Sequence, residues 1–489
     1  PGVGQNLQDH LTVNISYKIN KLKTFSELMK PLNMIKNLFE YFIQGKGLMT
    51  YPASDIGVFF KTNEFESTPN AQVHFAPGAG EYNKNGAMKP SSGITASVCN
   101  LRPQSRGHLE LSSIDPEDAP KIYANYLDTE RDIQWMVEGI QKVRKGEELN
   151  EVLLKKYLQE NGLINSVVSE LSIQQFTHGY SNLTYLLEIE NKEFVLRKPP
   201  IGAIKRGHDM RREFKVQSAL YKAFSKVPKM YGFSDDEAIL GSDFYIMEKV
   251  EGVILNYKEA QNRNIPEADY KTIANSWLDT LVELHNVDYK NVGLGDLGKP
   301  EGYVERQVSN WGKQYLKAKT DDFPEAEIIM KWMKVHQPTA YDHCLIHNDF
   351  KYDNVVFKDD SWQGISAVLD WEMATLGDPL MDLGTSLGYW TVASDHDFIK
   401  QGIPSPTVFV GNPIRSEIAK MYAKKSGRNV DNLIFYYVFG LFKIAVIAQQ
   451  IYFRYSKGWT TDPRFSKLNK AAELCCKLAL KAIKTKSVD

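Results

Sequence analysis

The sequence predicts an α+β protein of more than one domain, on three observations. Residues Cys344–Asp382 (CLIHNDFKYDNVVFKDDSWQGISAVLDWEMATLGDPLMD) read as strand, loop, strand, turn, strand and a final turn rich in carboxylates. Residues Phe176–Pro200 read as two antiparallel strands joined at Asn191-Lys192. Residues His208–Phe224 instead show helical spacing, with Met210, Phe214, Gln217 and Tyr221 on one face.

The length of 489 residues implies two to four domains and a sizeable core. The net charge of −1 gives no broad basic field, so neither nucleic acid nor an anionic membrane is an expected partner. Four scattered cysteines, Cys99, Cys344, Cys475 and Cys476, form no C-x-x-C pair, which fits a reduced, cytoplasmic protein. The most apolar stretch, Ile434–Ala448, carries Lys443 and runs into Gln449 and Gln450. It is expected to be a buried helix and not a membrane span. The chain starts at Pro1 and shows no signal peptide, so Pro1 is expected to be an internal residue of a longer parent or of a misjoined gene.

In chain order, Thr12–Ile19 reads as a strand, Phe25–Phe42 as a helix, and Ser54–Phe60, Ala71–Phe75 and Ile94–Asn100 as strands. Thr129–Lys145 reads as a helix. Two pieces of this first third resemble the glucose-methanol-choline (GMC) oxidoreductases. One is Gly2-Val3-Gly4 with Asn6–His10, and the other is the Pro103–Leu127 segment with its S-R-G and D-P turns. The resemblance implies a truncated substrate-side sheet over residues 1–145. The family's dinucleotide fold would lie upstream of Pro1, and its C-terminal catalytic histidine segment does not follow Lys145. FAD, the family's cofactor, is therefore not expected to bind, and His10, His74 and His108 do not sit in the catalytic motif.

Residues 146–162 read as an amphipathic helix closed by Gly162 and mark a boundary. Beyond it, Gly179, Ser181 and Asn182 sit in a turn whose N–H groups suit phosphate oxygens, although an ordinary hairpin reads equally well. The strand Phe194–Arg197 ends in adjacent cations, Arg197 and Lys198, and the period of two does not fix which points inward. Gly241–Leu255 reads as an apolar strand ending in a Glu-Gly turn.

The chemistry concentrates at His347, Asp349, Asn354 and Asp370. Phosphoryl transfer asks for an acceptor hydroxyl aimed at the γ-phosphate and cations to hold that phosphate. Asp349 would accept the hydroxyl proton, while Asn354 and Asp370 would hold Mg²⁺. The structural alternative is two hairpins with acidic turns. The spacing H-x-D-x-x-x-x-N, flanked by apolar strands, favours chemistry.

IHNDFKYDNVVF with AVLDWEMATLGDPLMDLG resembles the aminoglycoside-phosphotransferase-like kinases, and among them the kinase-like part of the acyl-CoA dehydrogenase family members ten and eleven. The resemblance covers roughly residues 147–484 and implies a bilobal protein-kinase-like fold, with lobes 146–248 and 249–489. It implies that ATP is bound by the Gly179–Asn182 turn, by Arg197, by Glu213 as partner of that cation, and by a hinge at Met247, Glu248 and Val250. It also implies His347 in the catalytic set. Where the family has His-Gly-Asp, this chain has Asn348, the next best residue for a turn with φ > 0. Asp378 and Asp382 read either as carboxylates supporting the metal donors or as a helix N-cap, and a structural role is expected, with Asp382 pinning the catalytic loop. No long activation loop follows, which points to a small hydroxylated substrate, with hydroxy acids or hydroxyacyl-CoA thioesters implied by the resemblance. Two other readings stand beside this one: a flavin-dependent alcohol oxidoreductase with the kinase part as passenger, and a nucleotide-binding pseudokinase. The sequence chooses neither the acceptor nor the oligomeric state.

Overall fold

The alternating runs of the first third pair into an antiparallel sheet. β1 (Thr12–Lys18), β2 (Ile56–Phe60), β3 (Ala71–Ala76) and β6 (Gly93–Asn100) lie in the order β1-β6-β3-β2. β4 (Ala79–Tyr82) with β5 (Met88–Ser91), and β7 (His108–Glu110) with β8 (Lys121–Tyr123), form separate hairpins. The computed structural model describes the chain apart from residues 1, 19–23, 25–29, 48–49, 51–53, 55, 64–65, 83–87, 144–148, 177–181, 201–208 and 458–462. The chain divides into two units, Pro1–Leu149 and Asn150–Asp489.

In the first unit the register Val73↔Val98 and Phe75↔Ala96 puts one apolar face of the sheet inward. α1 (Pro31–Gln44) starts on a proline and stops at Gly45, whose φ of 62° ends a helix at no steric cost. Ile35, Phe42 and Ile43 on that helix are exposed, as is most of β2. α2 (Glu130–Val143) packs on β6, and its buried Asp132 accepts from the N–H of Gln104 and Ser105 and from the Ser105 hydroxyl.

The second unit has the bilobal, kinase-like arrangement that its motifs imply. After α3 (Glu151–Glu160), an antiparallel sheet runs in the order β12-β13-β11-β10-β9. Its strands are β9 (Ser172–Gln175), β10 (Leu183–Ile189), β11 (Lys192–Lys198), β12 (Met230–Ser234) and β13 (Phe244–Glu248). α4 (Met210–Leu220), capped by Asp209, packs on β12 and β13. The helical lobe holds α5 (Glu267–His285), α6 (Tyr303–Ala318), α7 (Pro324–His336), α8 (Pro379–Tyr389), α9 (Arg415–Ser426), α10 (Leu433–Ser456) and α11 (Leu468–Thr485). Two short antiparallel pairs lie within it: β14 (Cys344–Ile346) with β17 (Thr375–Gly377), and β15 (Val355–Phe357) with β16 (Ile365–Val368).

Two expectations shift. The β10–β11 turn is Glu190-Asn191, one residue earlier than the sequence reading, with both residues at positive φ (50° and 57°). Glu190 tolerates this because its carboxylate accepts the N–H of Asn165 and Ser166 and the hydroxyl of Ser169. The strand expected over 241–255 stops at Glu248. Beyond it Gly252 adopts φ 140°, and Val253 exchanges backbone hydrogen bonds with Phe357 instead. A Cβ at Gly252 would stand 2.1 Å from the Phe357 carbonyl, so this approach admits only glycine.

Among the described residues α10 is the one helix long and apolar enough to cross a membrane, and 78% of its apolar window is buried. It is the central core helix of the second lobe. It meets α8 backbone to backbone, since a Cβ at Gly440 would stand 2.2 Å from the Gly384 carbonyl. The four cysteines are buried and form no disulfide.

Candidate active site

The two short antiparallel pairs of the helical lobe assemble the site. β14 delivers His347, Asn348 and Asp349 at its end, and its pairing with β17 brings this turn beside residues 371–374. β15 and β16 pair Val355 with Val368, so Asn354 and Asp370 arrive at the same end of one hairpin. The Leu369 N–H donates to the Asn354 carbonyl at 2.8 Å, closing that end.

The turn is held on every side. Asn348 adopts φ 68°, the left-handed conformation that its position required. The Asp382 carboxylate accepts the His347 N–H at 2.6 Å and the Asn348 N–H at 2.7 Å. His347 is fully buried, its Nε2 2.9 Å from the Leu369 carbonyl and its Nδ1 accepting the Asp349 N–H. That burial makes His347 a brace for the turn with no access to substrate. The Asn354 amide donates to Asp349 Oδ2 at 2.7 Å and to the Asp349 carbonyl at 2.8 Å. Asp349 keeps 18% of its side chain exposed and lies 3.4 Å from the Lys351 ammonium.

The phase of β11 is now resolved. Arg197 points into the site, and Lys198 on the other face donates to the Leu240 carbonyl at 2.6 Å. Arg197 spans two carboxylates, with Nη2 2.6 Å from Asp370 Oδ1 and Nη1 3.3 Å from Glu213 Oε2. Glu213 also accepts the Tyr245 hydroxyl at 2.7 Å. The Asn182 amide lies 3.4 Å from both Glu213 and Glu372.

Burial alone would raise the Asp370 carboxyl, but the Arg197 guanidinium, with His347 and Lys351, holds it below the usual carboxylate range. Glu213 goes the other way: burial lifts it, and the longer bond from Arg197 does not compensate. Burial disfavours the Arg197 charge, yet Tyr245, Asp370 and Glu213 together push its pKa well above normal. The guanidinium charge is thus directed chiefly at Asp370.

Other expected residues fall as follows. Gly179 and Ser181 lie outside the described residues. Met247 pairs with Val195 inside the sheet. The Glu248 N–H is committed to the Lys229 carbonyl at 2.8 Å. Val250 follows the strand and is partly exposed. Asp378 caps α8 by accepting the Leu380 N–H. Gln449 and Gln450, which end the apolar run of α10, pack within the lobe: Gln449 is fully buried and Gln450 bonds to Gln314.

Sequence reasoning missed Tyr245 and His285, which brace Glu213 and Asp382. Neither carries a motif, and only their long-range partners reveal them. Among the described residues no three His, Cys, Asp or Glu side chains converge as a metal site. Mg²⁺ on a nucleotide typically takes one or two protein oxygens and completes its shell with phosphate and water. The Asn354 amide oxygen and the Asp370 carboxylate fit that donor set, because Asn354 spends its NH₂ on Asp349.

Residues 172–403 match the phosphotransferase enzyme family, and residues 103–167 match the GMC oxidoreductase family. Mouse acyl-CoA dehydrogenase family member 10 is 33% identical over 355 residues, which are 70% of this chain and 32% of that protein. Human acyl-CoA dehydrogenase family member 11 is 35% identical over 292 residues, 59% of this chain and 37% of that protein. The chain thus spans about a third of the length of these curated relatives. Oxygen-dependent choline dehydrogenase 1 of Chromohalobacter salexigens is 37% identical over 145 residues, 30% of this chain and 26% of that protein. A solved structure of a candidate aminoglycoside phosphotransferase from Ralstonia eutropha superposes with a TM-score of 0.59 at 29% identity, covering 69% of this chain and 99% of that one.

Proposed function

We propose that this chain, whose residues 172–403 are a phosphotransferase-family domain, moves the γ-phosphoryl group of Mg·ATP to a hydroxyl of a small molecule. The carrying observation is a continuous set of contacts: Asp349 to Asn354, Asn354 through the Leu369 backbone to Asp370, Asp370 to Arg197, and Arg197 to Glu213. This chain of contacts supports reading Asp349 as the base, Asn354 and Asp370 as metal donors and Arg197 as the phosphate-binding cation.

Asp349 takes the proton of the acceptor hydroxyl as its oxygen bonds to phosphorus and the bond to the β-phosphate oxygen breaks. Asn354 orients that carboxylate through its amide. Asn354 and Asp370 would hold Mg²⁺, which when bound neutralises charge on the phosphates. Arg197, held between Glu213 and Asp370, presents a fixed cation to the phosphate oxygens. Asp382 and His347 keep the turn in the geometry the reaction needs.

For the acceptor we propose a hydroxy acid or hydroxyacyl-CoA thioester. Support comes from the short connection between Asp370 and α8, which leaves no long platform for a protein substrate, and from relatives named as acyl-CoA dehydrogenase family members. No step is assigned to residues 1–149.

The test is ADP release and phosphorylated product, read by mass, over hydroxy acids, hydroxyacyl-CoAs, choline and aminoglycosides. Mg²⁺-dependent transfer to one class is expected. ATP binding with no transfer to any of them overturns the proposal in favour of a binding-only protein.

A further inference from the structure

Lys443 lies in the most apolar helix of the chain, α10, and is 2% exposed. Its Nζ donates to the Asn348 carbonyl at 2.7 Å and sits 5.8 Å from the centre of the Trp311 ring. A methyl-ended side chain would fill the same space without burying a charge, so packing does not explain a cation here. The carbonyl it holds belongs to the left-handed residue of the catalytic turn, one position before Asp349. The rest of Asn348 is held as well: its N–H by Asp382, its amide NH₂ by the Met373 carbonyl and the Tyr303 hydroxyl, and its Oδ1 at 3.4 Å from both the Tyr303 hydroxyl and Lys443 Nζ. The orientation of the Asn348–Asp349 peptide is thus set from its carbonyl side by Lys443.

We propose that Lys443 is a positioning residue for phosphoryl transfer, its buried ammonium clamping the Asn348 carbonyl and so aiming the Asp349 carboxylate. This rests on the kinase reading of the site. The charges that reach Lys443 are those of Asp349 from the turn and Asp382 from α8, while α6 contributes the Trp311 ring and the Tyr303 hydroxyl. Burial outweighs both carboxylates and pulls the ammonium down to about 8. Above that pH the clamp becomes a neutral amine, a weaker donor, and transfer declines.

The experiment compares wild type, Lys443→Met and Lys443→Arg from neutral pH to about pH 10 at saturating Mg·ATP. Wild type shows an alkaline limb centred near pH 8. Lys443→Met loses about 10²-fold in kcat at all pH values, with no limb and little change in KM for ATP. Lys443→Arg stays charged, keeps most of the rate and extends the plateau upward. Wild-type kcat in Lys443→Met, or a limb unchanged in Lys443→Arg, overturns the proposal. A second reading needs no turnover: ¹⁵N-lysine NMR of the wild-type protein, with the Lys443 signal assigned by its loss in Lys443→Arg. Titration near pH 8 supports the clamp, and titration with the surface lysines near 10.4 overturns it. Failure to phosphorylate any acceptor would sink the kinase reading and with it the role in transfer, whereas titration of Lys443 near 10.4 in a protein that does phosphorylate would sink the clamp alone.

Discussion

Arg197 Nη2 donates to Asp370 Oδ1 at 2.6 Å, tying the sheet lobe of the second unit to the hairpin that carries Asn354 and Asp370. Both arms of the fork are used, since Nη1 reaches Glu213 at 3.3 Å. A lysine offers one point charge where the guanidinium offers two directed donors. Arg197→Met should therefore lower kcat/KM for Mg·ATP by about 10²–10³-fold, the scale for losing one preorganised charge stabiliser, with Arg197→Lys between. Steady-state kinetics against ATP checks this. A methionine variant within tenfold of wild type would remove the guanidinium from the mechanism.

Asp349 is the partly exposed carboxylate of the turn and the proposed base for the acceptor hydroxyl. Asp349→Asn should cut kcat by about 10²–10⁴-fold, the range for general-base loss. Binding of a fluorescent ATP analogue should stay within a few-fold. Loss of nucleotide binding together with rate would show that the substitution had disturbed the Asn354 contact instead of the chemistry.

Much of this was legible in the sequence, because the deciding elements are local. The interval from Asn354 to Asp370 is one hairpin, and strand pairing across it fixes where both side chains end. The positive φ at Asn348 follows from the tight turn after β14. What stayed hidden depends on distant chain. The inward face of β11 could not be chosen until β10 and β13 fixed its register around Arg197. The end of β13 was misjudged because its apolar run continues past Glu248, and only the Val253–Phe357 pairing draws it out of the sheet. Glu190 occupies a turn position its residue type disfavours, and the compensation comes from Asn165, Ser166 and Ser169.

Asp378 is buried, and desolvation lifts its carboxyl to about 6 against hydrogen bonds from Tyr436 and the Leu380 N–H. The folded state therefore binds the proton more tightly than the unfolded chain. Its contribution is full below the unfolded value of about 3.9 and is lost as pH rises to about 6. Asp378→Asn keeps the helix cap without a charge to bury. The variant should be more stable than wild type at pH 7, by at most about 3 kcal/mol, with the gap closing near pH 4. Urea midpoints at the two pH values test this, and an equal or lower midpoint at pH 7 would contradict it.

Asp382 carries the opposite dependence and a larger stake. It is fully buried, accepts two turn N–H groups and lies 3.2 Å from His285 Nε2. An ionised carboxylate only accepts, so His285 must carry its proton on Nε2, and its Nδ1 then accepts the Tyr422 hydroxyl at 2.8 Å. Burial would raise Asp382, but the His285 bond, with His285 and His347 beside it, holds it below its ordinary value. The unfolded chain thus binds this proton more readily, and the stabilisation is present above about pH 3.9 and fades as pH falls through the lower native value. Asp382→Ala removes the charge and strands both N–H groups, at a cost of about 3–5 kcal/mol. Asp382→Asn keeps one acceptor oxygen, so it should lose less stability, flatten the acid limb of the stability curve and still slow transfer, because one of the two turn N–H bonds goes. Urea unfolding against pH, run beside kcat, separates these outcomes. An Asn variant with wild-type kcat would mean that the turn holds its shape without Asp382.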